Sequence, residues 1–269
     1  MQFKNPPLVE LIAELRWLPP GVRLVPGAPQ NMEIPMNLLA GGQADALFMS
    51  FGAQVINAGY SAIERVLPPQ VPAFPFQPVF RYSKPKKAGE PTLLYQLGSG
   101  IFSAHTTPPY KSWDDFRPEV ESGIRQLLAV RSAEDNANPM IAASVRYLDA
   151  FTDEFLQNRT IPTFMSKTLG IDLRLPSALG DLIPPTQEMS PQIRLTLPLH
   201  NALQMTLALS EGQAAGARAL IMDSSVGSTS PIPCEIGEIM RVLDSARAVV
   251  SSAFTQMTER LHAIMEPVH

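Results

Sequence analysis

The sequence contains a single cysteine, Cys234, in 269 residues. One thiol closes no disulfide within the chain and builds no thiolate metal cluster, and it fits a reducing compartment. Cys234 lies between Pro233 and Glu235. A neighbouring carboxylate raises a thiol pKa rather than activating the sulfur, so a structural role is expected. Long hydrophobic runs are also missing, and none approaches the roughly 18 apolar residues of a spanning helix. The opening residues, Met1 to Pro7, lack the apolar stretch of a signal peptide. A soluble, cytoplasmic chain with no membrane partner is expected. Basic excess is absent: 21 Lys and Arg stand against 25 Asp and Glu, a net charge of −4. That balance disfavours a nucleic-acid partner. The one basic cluster, Lys84-Pro85-Lys86-Lys87, reads as a solvated loop tip. The four histidines, His105, His200, His262 and His269, have no H-x-x-x-H spacing and no cysteine nearby, so no metal site is expected. Phosphate loop, dinucleotide fingerprint and G-x-S-x-G elbow are lacking, and the serine-rich run Ser224–Ser230 has Gly227 but no lysine. No cofactor is expected.

What the chain does have is period-two alternation broken by prolines. Val9, Leu11, Ala13, Leu15 and Trp17 alternate with Glu10, Ile12, Glu14 and Arg16, which predicts a half-buried strand between Pro6-Pro7 and Pro19-Pro20. Residues 19–42 read as a long connection. Leu47, Phe51, Val55, Ala58, Ala62 and Val66 predict a helix over 43–66, with Gly52 and Gly59 at points of close packing. Strands are expected at 78–83, 91–97 and 101–107, the last two joined through Gly98-Ser99-Gly100. A helix follows at about 113–131, capped by Ser112 and favoured at its positive end by Asp114 and Asp115. Pro118 argues that its regular part starts nearer Asp115.

Residues 132–139 are polar and turn-forming and mark the best boundary. Beyond it the order recurs: a strand at 140–151, a short helix at 161–169, strands at 191–198, 202–211 and 217–224, and a helix over 235–265. The expected fold class is α+β, an antiparallel-rich sheet with helices packed on one face. Two pseudo-repeated halves, 1–134 and 139–269, would each run strand, helix, three strands, helix, within one compact unit. An accidental recurrence of element order is the other reading.

An ordered set of motifs runs through the chain: Asn5-Pro6-Pro7-Leu8-Val9-Glu10 with Glu14-Leu15-Arg16-Trp17, then Gln96-Leu97-Gly98-Ser99-Gly100, then Pro108-Pro109-Tyr110-Lys111-Ser112-Trp113-Asp114-Asp115-Phe116, then Val145-Arg146-Tyr147-Leu148-Asp149. With the apolar last helix, this set resembles a sporadically distributed, mostly bacterial family of uncharacterised proteins. Leu148-Asp149 departs from the Ile-Asn usual there. The resemblance implies an α+β fold and no known reaction. The family's patchy distribution suggests, by association, an accessory role such as bacterial conflict or phage defence.

Candidate chemistry is sparse. Tyr110, Trp113 and Phe116 beside Pro108-Pro109 suit either a partner-binding platform or a packing staple that sets the angle of the helix. Asp114 and Asp115 are adjacent and point about 100° apart on a helix, which favours capping over a catalytic pair. His105 on a strand and His200 in a turn have no identifiable nucleophile and orienting carboxylate. Arg146 either binds an anion or pairs with Glu10 or Glu14. Asp223 is expected to start a turn at Ser224-Ser225. No catalytic residue is assigned. The leading reading is a non-enzymatic, regulatory protein that holds a protein partner or a second copy through Tyr110, Trp113 and Arg146, with Met240, Met257 and Met265 suiting an interface or a core. The alternative is a small-ligand binder or enzyme with a pocket between sheet and helices, drawing on His105, Tyr110, Arg146 and Asp149. Nucleic-acid binding on a saddle-like sheet is disfavoured.

Overall fold

The strand that begins at Leu8 lies in the middle of a nine-stranded sheet. A computed structural model describes residues 2–25, 28–33, 44–110, 112–180, 182–184 and 188–268. The first half comprises β1 (Gln2–Phe3), β2 (Leu8–Arg16), β3 (Arg23–Val25), β4 (Ala28–Glu33), α1 (Ala44–Ile56), β5 (Ala62–Arg65), β6 (Pro78–Ser83), β7 (Leu93–Gly98), β8 (Ile101–Thr106), α2 (Trp113–Val130) and α3 (Ala133–Ala137). The second comprises β9 (Ala142–Phe151), α4 (Asp153–Leu156), α5 (Ile161–Lys167), α6 (Ser177–Gly180), β10 (Gln192–Pro198), β11 (Leu203–Ala214), β12 (Ala217–Ser228), α7 (Ile236–Met257), α8 (His262–Met265) and β13 (Pro267–Val268).

The large sheet has the order β10-β11-β12-β9-β2-β8-β7-β6-β5, with every neighbouring pair antiparallel. From the central β2–β9 pair, the first half runs outward as β2-β8-β7-β6 and the second as β9-β12-β11-β10. The fold is α+β, and the main-chain ladder between β2 and β9 joins the two arms into one sheet.

One register row crosses the sheet and defines its buried side: Ile63, Tyr82, Tyr95, Ala104, Ala13, Val145, Val226, Met205 and Leu197. The helices cover this side. On α1, Phe51 meets Tyr82, Tyr95 and Phe102 edge-on. On α2, Gly123 lies so close to the sheet that a Cβ there would stand 2.7 Å from Phe102 and 2.8 Å from Tyr95. The long α7 packs on β9 and β12. Period two in the strands and the three-and-four spacing in the helices thus bury their apolar sides against each other.

Several boundaries differ from expectation. The helix predicted over 43–66 ends at Ile56. Gly59, at φ +90°, turns the chain rather than packing closely, and Ala62–Arg65 becomes the edge strand β5. Gly52 does pack closely, 3.2 Å from Tyr82 by the position a Cβ would take. The loop Ser99-Gly100 joins β7 to β8 as expected. Helix α2 starts at Trp113, not nearer Asp115, because Ser112 accepts from the Asp115 amide and fixes the first turn; Pro118 lies within the helix. The predicted boundary segment holds the short α3, capped by Ser132. The last helix breaks at Thr258 into a 3-10 turn, Glu259–Leu261, followed by α8. Part of the expected connection over 19–42, residues 26, 27 and 34–42, lies outside the described residues.

Candidate functional site

Asp149 continues the inward-facing parity of Ala143, Val145 and Tyr147 on β9. A carboxylate therefore lands on the side of the strand that packs against α7. Asp149 is 1% exposed, and its Oδ2 has no hydrogen-bond partner. Burial pushes the carboxyl up to about 8, with the charge of Asp223 adding to the effect. An isolated carboxylate in a water-poor site sheds its charge by keeping its proton, so at neutral pH Asp149 is a neutral acid that can donate a hydrogen bond.

This carboxyl lines a cavity of about 70 Å³ between β9 and α7. Tyr147 comes from the same strand, Tyr110 and Ser112 from the loop before α2, and Arg247 with Ser251 from α7. Phe3, Leu8 and Phe254 supply apolar wall. Tyr110 Oη and Arg247 Nε are also buried without a partner. Burial raises both phenols above the ordinary tyrosine value; Tyr147 adds to the effect at Tyr110, while Arg247 opposes it at Tyr147. Both stay protonated and donate. The site therefore presents one cation and several neutral donors to a small space with apolar walls.

Two structural ties hold the cavity's walls. Ser112 caps α2, and Trp113 Nε1–H donates to Asp244 Oδ1 at 2.8 Å, joining α2 to α7. Arg117 donates to both oxygens of the same carboxylate from Nε and Nη2. At the other end β1 pairs with β13, Gln2 opposite Val268 and Phe3 opposite Pro267. This ladder seats Phe3 on the His262 and Phe254 rings.

The sheet's other face carries a separate polar system. His105 Nδ1 lies 2.8 Å from Glu10 Oε1, and its Nε2 lies 2.8 Å from Ser103 Oγ. His105 therefore does have both a hydroxyl and an orienting carboxylate, contrary to expectation; β2 and β8 place Glu10 beside it across the ladder. Ser103 is 2% exposed, and its strand is laddered to β2 on one side and β7 on the other. The amides of such a strand are used in the sheet, so they offer no oxyanion donors to a substrate. The chain Glu10-His105-Ser103 is a satisfied polar network; its bond to His105 holds the Glu10 carboxyl below its usual range.

Arg146 is also on that face. It forms a two-bond pair with Asp223, 2.7 and 2.6 Å, rather than with Glu10 or Glu14. Asp223 starts no turn, because β12 runs on to Ser228, and neither do Ser224 and Ser225. Of the residues read as a partner platform, Trp113 is 4% exposed and Tyr110 faces the cavity; Arg146 alone is exposed. Asp115 caps α2 through Ser112. Lys84 is no loop tip: it pairs with Glu119 at 2.6 Å over the Tyr60 ring. Cys234 Sγ receives a bond from Arg131 Nη1 at 3.2 Å. His200 is exposed, His262 bonds the Thr255 carbonyl, and His269 lies outside the described residues.

The structure thus brings Tyr110 and Asp149 together and leaves His105 and Arg146 on the opposite face. Sequence reasoning missed Tyr147 and Arg247 as lining groups. Their signal was polarity at positions of apolar parity: Arg247 lies on α7 beside Leu243, Ala246 and Val250, all buried.

Among the described residues, no group of histidine, cysteine and carboxylate side chains is placed to hold a metal ion, and no helix is long and apolar enough to cross a membrane. The sequence matches no protein-family model and no curated protein. Among solved structures, the di-domain ARO/CYC StfQ from the steffimycin biosynthetic pathway is similar at 7% identity over 67% of this chain and 77% of that one, with a TM-score of 0.20. A likeness of that size carries no argument about function.

Proposed function

We propose that the chain binds a small carboxylate-bearing molecule in the cavity between β9 and α7. The observation that carries this reading is the partnerless Oδ2 of a wholly buried Asp149 in a cavity where Tyr110 Oη and Arg247 Nε also lack partners. Buried polar atoms are nearly always paired, and leaving one unpaired costs on the order of 1–3 kcal/mol. A ligand that accepts from several of them at once recovers that cost. The groups present are donors, so the ligand supplies acceptor oxygens. Arg247 selects negative charge, and a guanidinium fits a carboxylate in two-bond geometry. Phe3, Leu8 and Phe254 favour an apolar body behind the carboxylate. The small volume fits a short-chain acid or the carboxylate end of a longer one.

Titration calorimetry with sodium acetate, propionate and butyrate, and with butyramide as the uncharged control, tests this reading. Saturable binding of the acids but not the amide is expected, together with its loss in Arg247→Ala. Binding of the acid weakens about tenfold per pH unit above the Asp149 pKa, as an ionised Asp149 repels it. Asp149→Asn keeps the affinity and loses that pH dependence. No heat with any acid, or binding that survives Arg247→Ala unchanged, overturns the proposal.

A further inference from the structure

Among the described residues, the buried register row of the sheet ends uncovered at β10. Ile193, Leu195 and Leu197 stand opposite Leu209, Leu207 and Met205, whose side chains are 1%, 4% and 5% exposed. Leu195 and Leu197 are on the same face yet are 37% and 42% exposed. The apolar layer of the core therefore continues onto the last strand, where the described residues leave these two leucines open. The opposite edge, β5, is shorter and carries Glu64 and Arg65. Short, charged edges resist pairing with another chain; a longer edge with an apolar face invites it.

The main chain of β10 is open in a defined pattern. The Leu199 amide donates to the Leu203 carbonyl. Bonded and unbonded pairs alternate along an antiparallel ladder, so Leu197, Leu195 and Ile193 direct their amides toward β11. Gln192, Arg194 and Thr196 then direct theirs away from the sheet.

We infer that β10 is a self-pairing edge, and that a second copy of this chain adds its own β10 antiparallel about a two-fold axis at Leu195. Leu195 is the midpoint of Gln192–Pro198, so this register uses the full strand. Arg194 and Thr196 exchange main-chain bonds with Thr196 and Arg194 of the second copy. Ile193 meets Leu197 of the second copy, and Leu195 meets its own equivalent, so apolar side chains face apolar ones along one side. An axis at Arg194 would instead set two like charges opposite each other, which is destabilising. Pro198, which has no amide, falls at the end of the ladder, where it breaks least. Closed two-fold pairing of this kind joins two sheets into one and leaves no further β10 edge free.

Light scattering on the full chain across a concentration series reads the mass. About twice the 29.4 kDa of one chain is expected, falling to one chain in Leu195→Lys and in Thr196→Pro, both exposed positions, with unchanged circular dichroism. Cysteine substitution in a Cys234→Ser background checks the register. Facing residues of an unbonded antiparallel pair have Cα atoms about 4.5 Å apart, within disulfide range. Leu195→Cys should therefore crosslink on oxidation and Thr196→Cys should not. A wild-type monomer at every concentration overturns the inference. So does a dimer whose mass both edge variants leave intact.

Discussion

Trp113 and Asp244 meet across the α2–α7 contact, the indole N–H 2.8 Å from the carboxylate. Asp244 lies one helical turn before Arg247, so the bond that joins the two helices also sets the wall of the cavity. Asp244→Ala leaves the Trp113 N–H without its partner and leaves Arg117 its bond to Glu121 alone. Because Asp244 is 38% exposed, water compensates part of the loss. A cost of about 1–2 kcal/mol is expected in urea unfolding, and carboxylate affinity at the cavity should fall with it. Unchanged stability would show that the helix contact does not depend on this bond.

Asp149 makes stability fall as pH rises. Its folded pKa, about 8, lies above the unfolded value. The proton held by the folded state favours folding fully at low pH. That contribution declines from about pH 4 upward and is lost as pH passes through 8. Asp149→Asn removes the decline and stabilises the fold at neutral pH by on the order of a few kcal/mol. Urea midpoints at pH 5, 7 and 9 read this directly; parallel curves for both proteins would place the carboxyl in an ionised state.

Glu10 acts in the opposite sense. Its bond to His105 lowers its folded pKa, so the stability it gives is present above the unfolded value and is lost as pH falls through the folded one. Glu10→Gln should flatten the acid limb of the stability curve below about pH 4.5, with a modest effect because the side chain is 27% exposed. An acid limb identical in the two proteins would show that the pair contributes nothing.

Two helical glycines should behave differently. Gly123→Ala forces a Cβ to 2.7 Å from Phe102 and 2.8 Å from Tyr95, two rings held in the core, and overpacking of that kind costs about 1–3 kcal/mol. At Gly52 the nearest atoms, on Tyr82 and Ile63, lie at 3.2 and 3.3 Å. The gain of about 1 kcal/mol from alanine in a helix offsets the tighter contact there. Thermal unfolding of both variants checks the contrast; equal losses would refute it.

Much of the sheet was legible because its signal is local. Leu11, Ala13 and Leu15 on β2 and Leu203, Met205 and Leu207 on β11 alternate strictly, and period two leaves no other regular structure. Errors came where local pattern and backbone geometry compete. Ala62 and Val66 continue a helical spacing from Leu47, but the turn at Gly59 outweighs it. Long-range pairing was not readable: Arg146 was matched with Glu10 or Glu14, and only the β9–β12 register brings it Asp223. The cavity was half visible. Tyr110 and Asp149 were among the pocket candidates, whereas Arg247 was hidden inside an apolar helical stripe.

The central β2–β9 pair governs how the chain is made. Leu11 faces Thr106 on one side and Tyr147 on the other, so a ribosome must deliver more than half the polypeptide before both flanks of β2 are occupied. Until then a hydrophobic strand keeps one side unpaired. Such distant partners slow folding and prolong exposure to aggregation, so renaturation should be gradual and recovery of native material should improve at high dilution.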